Sequence, residues 1–432
     1  MSIERSQIAP ATAGAQSALG VLRRTSRAER ASWIRAVADA ADAHAEALIA
    51  LAAEESRLPV ARLTGELART TNQLRLLASA AEEGGIFEAI VDDSNASAIP
   101  PHGDLRRILV PLGPIAVFSA SNFPFAFSVI GGDTASAWAA GCPVVVKGHS
   151  GHPGLSVEVA RIAQGALVSA GAPEGMLTLV QGREEGVELI KDPLIKAVGF
   201  TGSLEAGRFL AGIAESRPTP IPFYGELGSL NPVIVTDAAV AERKDELISG
   251  LAASFTAGVG QFCTKPGLIF VSDASGFADD LAAAVADTPS GEMLTLGMAS
   301  AFERSQSELL ATPGVAVIKQ GAATGQSATP TVALTSAAEI LEHPEALLSE
   351  VFGPFTLVIG YSSEQEIDDV LAALGGSLTA TVHAGTDEDI ASLLERIEPY
   401  AGRILFGGWP TGVAVTWSQT HGGPWPAASS AL

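Results

Sequence analysis

The sequence predicts an α/β protein built on a doubly wound parallel sheet, followed by a second α/β domain. Three observations predict it. Short apolar runs bounded by turn residues, such as Pro-Val-Val-Val-Lys at 143–147, are typical of strands buried on both faces. Segments with helical spacing alternate with these runs. The same alternation begins again after Pro-Val-Ile-Val at 232–235, which indicates a second domain of about 180 residues.

The N-terminal part of the chain is predicted to be helical. Residues 1–25 are polar and Ala-rich without a strong pattern, so they receive no element. Ser26 and Glu29 have the spacing of a capping box, and apolar residues follow them at helical spacing. The predicted elements of this region are a helix over 27–55, a helix over 59–81 and a hairpin near 86–110.

Strands and helices then alternate along the rest of the chain. The strands are predicted at the end of 107–118 and over 143–147, 177–180, 195–200, 232–235, 267–272, 355–360, 378–383 and 403–406. The helices are predicted over 125–140, 154–170, 184–191, 204–215, 242–257, 276–287, 300–311, 364–374 and 386–397. The low-complexity stretch 321–327 is predicted to be a surface loop.

Composition and charge exclude several classes of protein. A net charge of −22 argues against nucleic-acid partners and anionic membrane surfaces. No run approaches the roughly 18 consecutive apolar residues of a spanning helix, and residues 1–5 lack the apolar core of a secretory signal. The two cysteines lie far apart in sequence, which argues against a disulfide framework and for a reducing cytoplasm.

One cysteine lies where a ligand can approach it. Cys263 follows a predicted helix that Gly258 and Gly260 interrupt. Pro266 prevents a new helix from starting at once. A thiol on such a loop suits a nucleophile. The alternative is an ordinary buried cysteine, which is the interpretation given to Cys142.

Three polar side chains lie at predicted strand ends or turns. Lys147 ends an apolar strand, where it can donate to a ribose or a phosphate, or instead extend to solvent. Glu226 lies among apolar and glycine residues, which raise the pKa of a carboxyl toward that of a general base. A salt-bridged structural role is its alternative. Asn122 can hold an oxyanion or simply cap a helix.

Other segments give weaker signals. Gly202 and Ser203 lie between a strand and a helix, where free N–H groups suit a phosphate, although neither a Walker loop nor the Rossmann fingerprint is present. Glu350 precedes a Gly-Pro turn and can accept from sugar hydroxyls or cap. His149 and His152 lack the third ligand of a zinc site, so no metal is predicted.

Six motifs in order resemble the aldehyde dehydrogenase superfamily. They are Ser-Asn-Phe-Pro at 121–124, Val-Val-Val-Lys at 144–147, Gly-Phe-Thr-Gly-Ser at 199–203, Glu-Leu-Gly at 226–228, Gly-Gln-Phe-Cys at 260–263 and Glu-Val-Phe-Gly-Pro-Phe at 350–355. Within the superfamily, the segments 146–154, 220–226 and 262–267 look most like the α-ketoglutaric semialdehyde (2,5-dioxopentanoate) dehydrogenases and the NADP-linked long-chain aldehyde dehydrogenases.

The resemblance implies a domain organisation. A Rossmann-type cofactor-binding domain over 1–225, with a small bridging β element near 86–110, precedes a catalytic domain over 226–411. The segment 412–432 returns toward the cofactor and bridging region. Both ends of the chain are short for the family. A homodimer or homotetramer is expected of such an enzyme, and the short ends leave its assembly and full activity as open questions at this point.

The resemblance also implies a role for each candidate residue. Cys263 would attack the aldehyde, Asn122 and the Cys263 N–H would hold the oxyanion, and Glu226 would activate water. The cofactor-binding residues would be Lys147 for the adenosine ribose, Gly202 and Ser203 for the pyrophosphate, Glu350 for the nicotinamide ribose, Phe352 as a further contact, and Ser150 and Arg183 for a 2′-phosphate.

Cofactor and substrate keep alternatives at this point. NADP is favoured over NAD, although Glu184 and Glu185 beside Arg183 would repel a phosphate. The expected reaction is oxidation of α-ketoglutaric semialdehyde to 2-oxoglutarate. One alternative is a broad or long-chain aliphatic aldehyde dehydrogenase, and another is a nucleotide-binding relative without activity.

Overall fold

The computed structural model describes residues 7–430, so the prediction about residues 1–5 lies outside the described residues. The helices are α1 (Ile8–Leu22), α2 (Arg27–Ala43), α3 (Ala45–Ser56), α4 (Val60–Glu83), α5 (Gly132–Ala139), α6 (Pro153–Ser169), α7 (Arg183–Lys191), α8 (Leu204–Glu215), α9 (Asp237–Thr256), α10 (Ala274–Ala284), α11 (Leu296–Leu310), α12 (Ala337–Glu342), α13 (Pro344–Leu347), α14 (Glu364–Leu374) and α15 (Ala391–Ile397). Within residues 7–430, no helix combines the length and apolarity needed to cross a bilayer.

Within the described residues, the strands form four sheets. The strands are β1 (Ile90–Asp92), β2 (Leu105–Arg107), β3 (Ile115–Phe118), β4 (Val144–Lys147), β5 (Leu177–Val180), β6 (Ala197–Thr201), β7 (Phe223–Glu226), β8 (Val233–Val235), β9 (Leu268–Phe270), β10 (Gly291–Glu292), β11 (Ala316–Lys319), β12 (Ala323–Thr324), β13 (Ser327–Ala328), β14 (Thr331–Ser336), β15 (Phe355–Gly360), β16 (Ser377–His383) and β17 (Ala401–Phe406).

The first compact unit comprises Met1–Thr201 and Arg208–Tyr224. Its main sheet has the order β5-β4-β3-β6-β7, and β3 pairs in parallel with both β4 and β6. All four residues of β3 are buried, as expected for a parallel strand covered on both faces by helices. The strands β1 and β2 form a separate antiparallel ribbon whose six residues are all exposed.

The second compact unit comprises Gly202–Gly207 and Gly225–Leu432. Its main sheet has the order β11-β14-β15-β9-β8-β16-β17 and is parallel except for the edge strand β11. Alternate residues of β8 enter different cores: Val233 and Val235 pack with α9 and α10, whereas Ile234 packs on the opposite face. The strands β10, β13 and β12 form a separate small sheet in that order.

The fold class predicted from the alternation is confirmed, and several elements differ in their bounds. The helix predicted over 27–55 is interrupted at His44, which ends α2 and begins α3. The helix predicted over 125–140 begins only at Gly132. The residues predicted to form its first turns are not helical. The N–H groups of Phe125 and Ala126 donate to the buried carboxylate of Glu66.

Candidate active site

Cys263 lies on a loop whose backbone depends on glycine. Gly258 and Gly260 follow α9 with φ angles of 56° and 65°, in the left-handed region that glycine adopts without strain. A Cβ on Gly260 would lie 2.1 Å from the carbonyl oxygen of Gly353, so no side chain fits there. The loop leaves Cys263 partly exposed, whereas Cys142 is buried.

Asn231 fixes the position of this loop. Its side-chain nitrogen donates to the carbonyl oxygens of Cys263 (2.8 Å) and Lys265 (2.9 Å). Its side-chain oxygen accepts from the Ser229 hydroxyl at 2.8 Å and from the N–H and hydroxyl of Thr379 in β16 at 3.2 and 3.0 Å. Asn231 is fully buried. One satisfied buried amide therefore ties the Cys263 loop to the central sheet.

An imidazole and a carboxylate lie beside the thiol. Nε2 of His421 is 3.6 Å from Sγ of Cys263 and 2.9 Å from Oε2 of Glu226. The side chains of His421 and Glu226 are only 15% and 10% exposed. A largely desolvated imidazole in this position can carry a proton between sulfur and carboxylate.

The C-terminal segment is fixed to the strand that carries Glu226. Glu226 forms an isolated antiparallel bridge with Ala428. The N–H of Leu227 donates to the carbonyl oxygen of Ala427 at 2.8 Å. These backbone contacts hold the residues that follow His421 against the end of β7.

The surroundings of Cys263 favour the thiol over the thiolate. Burial raises the pKa of the Cys263 thiol well above its usual range, and the neighbouring charge of Glu226 raises it further. The pKa of Cys142 is also raised, mainly by burial. His421 and Glu226 are bases beside the thiol that can accept its proton.

Glu350 and the buried Lys265 lie close enough in the same unit for their charges to influence each other. Burial raises the pKa of Glu350, and the charge of Lys265 opposes that shift. Burial lowers the pKa of Lys265, whose Nζ donates to the carbonyl oxygen of Phe355 at 2.7 Å. A Cβ on Gly228 would lie 2.5 Å from a carboxylate oxygen of Glu350, so the carboxylate approaches the backbone after Glu226 closely. Phe352 is half-buried in the turn that follows.

Lys147 and Arg183 lie near each other in the first unit. Lys147 ends β4 and is half-buried, and its pKa is lowered by burial first and by the charge of Arg183 second. Its stem packs on α7, since a Cβ on Gly186 would lie 3.3 Å from its Cγ. Ser150 follows in the exposed turn before α6. Two neighbouring cations suit a phosphate group.

Asn122 is buried in the turn after β3 of the first unit. Its carbonyl oxygen accepts from the guanidinium of Arg62 at 2.6 Å. The turn is fixed next to it by Glu66, which accepts from two backbone N–H groups. Asn122 therefore has the fixed backbone that an oxyanion donor requires.

Ser203 caps a helix in the second unit. Its hydroxyl oxygen accepts from the N–H of Ala206 at 3.3 Å, in the first turn of α8. Gly202 and Ser203 are both exposed. An exposed first helical turn presents backbone N–H groups to solvent, which suits an anion.

Comparison with known proteins decides the family. The family model described as "Aldehyde dehydrogenase family" matches residues 1–424. The chain belongs to the aldehyde dehydrogenase family. It is 44% identical to alpha-ketoglutaric semialdehyde dehydrogenase 2 of Azospirillum brasilense, over 96% of this chain and 81% of that protein. It is 40% identical to alpha-ketoglutaric semialdehyde dehydrogenase of Acinetobacter baylyi, over 94% and 78%.

Solved structures agree at the level of the fold. A lactaldehyde dehydrogenase matches with a TM-score of 0.82 at 21% identity, over 98% of this chain and 87% of that one. An NAD-dependent benzaldehyde dehydrogenase from Corynebacterium glutamicum matches with a TM-score of 0.78 at 23% identity, over 93% and 86%. The resemblance inferred from the six motifs is thereby confirmed, and the protein is an NAD(P)-dependent aldehyde dehydrogenase.

The structure adds residues that sequence reasoning missed in this aldehyde dehydrogenase. His421 lies 158 positions from Cys263, and no spacing rule connects the two. Asn231 carried no functional signal because its role depends on two carbonyl oxygens and on Thr379 of a distant strand. Lys265 lies in the segment 262–267 that resembles the family, but its burial near Glu350 arises only on folding.

Proposed function

We propose that this aldehyde dehydrogenase oxidises α-ketoglutaric semialdehyde to 2-oxoglutarate, with NADP as the preferred cofactor and Cys263 as the nucleophile. The proposal rests on one observation above all, the Sγ of Cys263 beside an imidazole that contacts the carboxylate of Glu226. The choice of substrate is supported by two relatives that bear this name at 44% and 40% identity.

In the proposed first half-reaction, Cys263 becomes a thiolate and attacks the aldehyde carbon. The thiol proton passes to His421 or Glu226 as the carbon–sulfur bond forms. The carbonyl oxygen becomes an oxyanion, which the side-chain amide of Asn122 and the backbone N–H of Cys263 would stabilise. Such donors act most strongly where charge develops. The product of this step is a thiohemiacetal on Cys263.

The nicotinamide, when bound, supplies the acceptor for the hydride that leaves the thiohemiacetal carbon. A thioester on Cys263 remains. In the second half-reaction, Glu226 takes a proton from water, and the oxygen of that water attacks the thioester carbon. The carbon–sulfur bond breaks, the carboxylic acid leaves, and the Cys263 sulfur regains a proton. A carboxylate with a buried oxygen beside an imidazole is suited to this general-base step.

Several residues are proposed to hold the cofactor. In the first unit, Lys147 would bind the adenosine ribose, and Ser150 and Arg183 would bind the 2′-phosphate of NADP. The positive charge of Arg183 contributes to lowering the pKa of Lys147. This supports the proposal, because a bound phosphate would offset the repulsion between the two cations. In the second unit, the exposed turn at Gly202 and Ser203 would bind the pyrophosphate.

Two further residues of the second unit are proposed to contact the nicotinamide half of the cofactor. Glu350 would accept from the nicotinamide ribose, and Phe352 would contact the cofactor next to it. The close approach of Glu350 to Gly228 supports a position near Glu226.

We also propose that the enzyme works as a homodimer or homotetramer in the cytoplasm. The ribbon of β1 and β2 and the residues that follow it carry many exposed apolar side chains, which favours a covered surface. They are Ile90, Val91, Ile99, Leu105, Ile108, Leu109 and Val110. Two free cysteines suit a reducing compartment.

A panel of aldehydes and cofactors tests the proposed function. The purified enzyme should give its highest kcat/KM with α-ketoglutaric semialdehyde and NADP, above NAD and above a series of C6–C14 aldehydes. Cys263→Ser should abolish the reaction. A higher kcat/KM for the long-chain aldehydes would replace the substrate assignment by a long-chain aldehyde dehydrogenase. Equal rates for the parent and Cys263→Ser would overturn the nucleophile.

A further inference from the structure

Three different metal-ligating groups converge around the nucleophile in the second unit. Sγ of Cys263, a carboxylate oxygen of Glu226 and a ring nitrogen of His421 all lie within 4.8 Å of one another. All three residues are partly buried. We propose that Glu226, Cys263 and His421 form a reversible binding site for a borderline divalent metal ion, with Zn²⁺ as the reference ion, that blocks the nucleophile.

The distances match a tetrahedral zinc centre. With Zn–S near 2.3 Å and Zn–N near 2.05 Å, a tetrahedral angle separates sulfur and nitrogen by about 3.6 Å. Sγ of Cys263 and Nε2 of His421 are 3.6 Å apart. The corresponding N–O separation is about 3.4 Å, so the 2.9 Å contact between His421 and Glu226 must open by about half an ångström. A side-chain rotation suffices for that.

A second observation points to a ligand. Oε1 of Glu226 is buried and, among the residues that the structure describes, accepts no hydrogen bond of regular geometry, while the Cys263 thiol lies close enough to interact with the carboxylate. A buried acceptor without a donor is costly, and a metal ion supplies the missing interaction.

The charge and the donor types also suit the ion. Binding displaces the thiol proton to solvent, so the ion meets a thiolate, a carboxylate and a neutral imidazole. Two negative charges then balance a divalent cation. Sulfur and nitrogen donors favour Zn²⁺ over Mg²⁺ or Ca²⁺, which prefer oxygen. Three protein ligands leave a fourth position for water, as in catalytic zinc sites.

The site has a matched comparison on the protein surface. Glu339, Glu342 and His343 form a second group of the same kind at α12, and Glu342 is exposed. That group lacks a thiol and is open to water, so it would hold an ion weakly. His343→Gln is therefore the control for loss of a histidine ligand.

Cobalt spectroscopy and zinc titration test the proposal on the purified full chain. Co²⁺ should bind one per chain with a thiolate-to-cobalt charge-transfer band and intense tetrahedral d–d bands. Cys263→Ser should lose the charge-transfer band. His421→Gln should weaken Zn²⁺ binding by about a hundredfold in competition with a chromophoric chelator, and His343→Gln should leave it unchanged. Circular dichroism and thermal melting establish that each variant is folded, and His421→Asn provides a second ligand variant.

Thiol labelling separates this site from the proposed function. Zn²⁺ should protect Cys263, but not Cys142, from iodoacetamide, and EDTA should restore labelling. Loss of aldehyde oxidation on addition of Zn²⁺ rests on the proposed role of Cys263, whereas the spectra and the labelling do not. A parent protein without the thiolate band, a band that persists in Cys263→Ser, or equal Zn²⁺ affinity in His421→Gln would overturn the site, even if the enzyme oxidises aldehydes as proposed.

Discussion

The side-chain amide of Asn231 donates to the carbonyl oxygen of Cys263 at 2.8 Å. The same amide donates to Lys265, and its oxygen accepts from Ser229 and Thr379. A single buried residue thus connects the loop that carries Cys263 with β16. Since reacting groups must be held to within a fraction of an ångström, we expect this link to position Cys263 for its proposed role.

We predict that Asn231→Asp slows catalysis by about ten- to a hundredfold and destabilises the fold by about 2 kcal/mol. A carboxylate has no N–H group, so it would face two carbonyl oxygens that have lost their donor. The measurements are kcat/KM and urea unfolding. Asn95→Asp is the matched control, because its side-chain oxygen accepts from the N–H of Ser97 on an exposed turn. Equal losses of kcat/KM and stability in Asn231→Asp and Asn95→Asp would contradict the positioning role of Asn231.

We predict that His421→Gln slows acylation by at least about tenfold, because the thiol loses an adjacent proton acceptor. Stopped-flow measurement of NADPH formation in the first turnover reports this step. His343→Gln, which lies at the end of α12, should behave like the parent. An unchanged first turnover in His421→Gln would leave Glu226 as the base that activates Cys263.

We predict that Glu226→Gln separates the two half-reactions. Its neutral amide cannot take a proton from water, so the thioester should accumulate and steady-state turnover should fall about 10²- to 10⁴-fold. The first turnover should still release up to one NADPH per chain. Loss of that burst together with turnover would place Glu226 before hydride transfer as well.

We predict that His149 contributes to acid sensitivity. Burial lowers its pKa to about 3, below the unfolded value of about 6.5. Between these pH values the unfolded chain binds more protons at His149 than the folded chain does. The contribution of His149 to the free energy of unfolding is therefore fully present above about pH 6.5 and is lost as the pH falls. His149→Asn keeps an acceptor for the N–H of Gly151, which contacts Nδ1 at 2.9 Å.

The variant should therefore lose less stability on acidification than the parent, by about 2 kcal/mol near pH 5. Urea unfolding of the parent and His149→Asn between pH 7.5 and 4.5 measures the difference. His102→Asn on the exposed loop after β1 is the control. Parallel stability curves for the parent and His149→Asn would contradict the prediction. Burial also lowers the pKa of His383, to about 4. His383 should therefore keep part of the pH dependence of stability in both the parent and His149→Asn.

We predict that Arg183→Ala lowers kcat/KM for NADP by about tenfold and leaves that for NAD nearly unchanged. Lys147→Ala should lower both, because the ribose is common to the two cofactors. The ratio of the two kcat/KM values checks this prediction. An unchanged ratio in Arg183→Ala would assign the 2′-phosphate to other groups.

Much of the fold could be predicted because its strands are continuous apolar runs. The strand Phe355–Gly360 and the helices Leu204–Glu215 and Glu364–Leu374 have the bounds that their patterns predict. The helix Ile8–Leu22 was missed because its buried face consists largely of Ala and Thr, which give a weak period. The strand Thr331–Ser336 was missed because three of its six residues are polar, although most are buried.

The candidate site was predictable only in part. Cys263, Glu226 and Asn122 stand in short motifs with recognisable chemistry. His421 and Asn231 do not, because their contacts join residues that are distant in sequence. The bridge between Glu226 and Ala428 and the contact between Cys263 and His421 both join residues that are far apart in the chain. Local patterns contain no information about such contacts.

The most direct test of the central claim is mass spectrometry of Glu226→Gln after brief incubation with α-ketoglutaric semialdehyde and NADP. We predict an acyl group of the size of 2-oxoglutarate less water on the peptide that contains Cys263, sensitive to hydroxylamine as a thioester is. An unmodified Cys263 in protein that has formed NADPH, or the acyl group on Cys142 instead, would contradict the account.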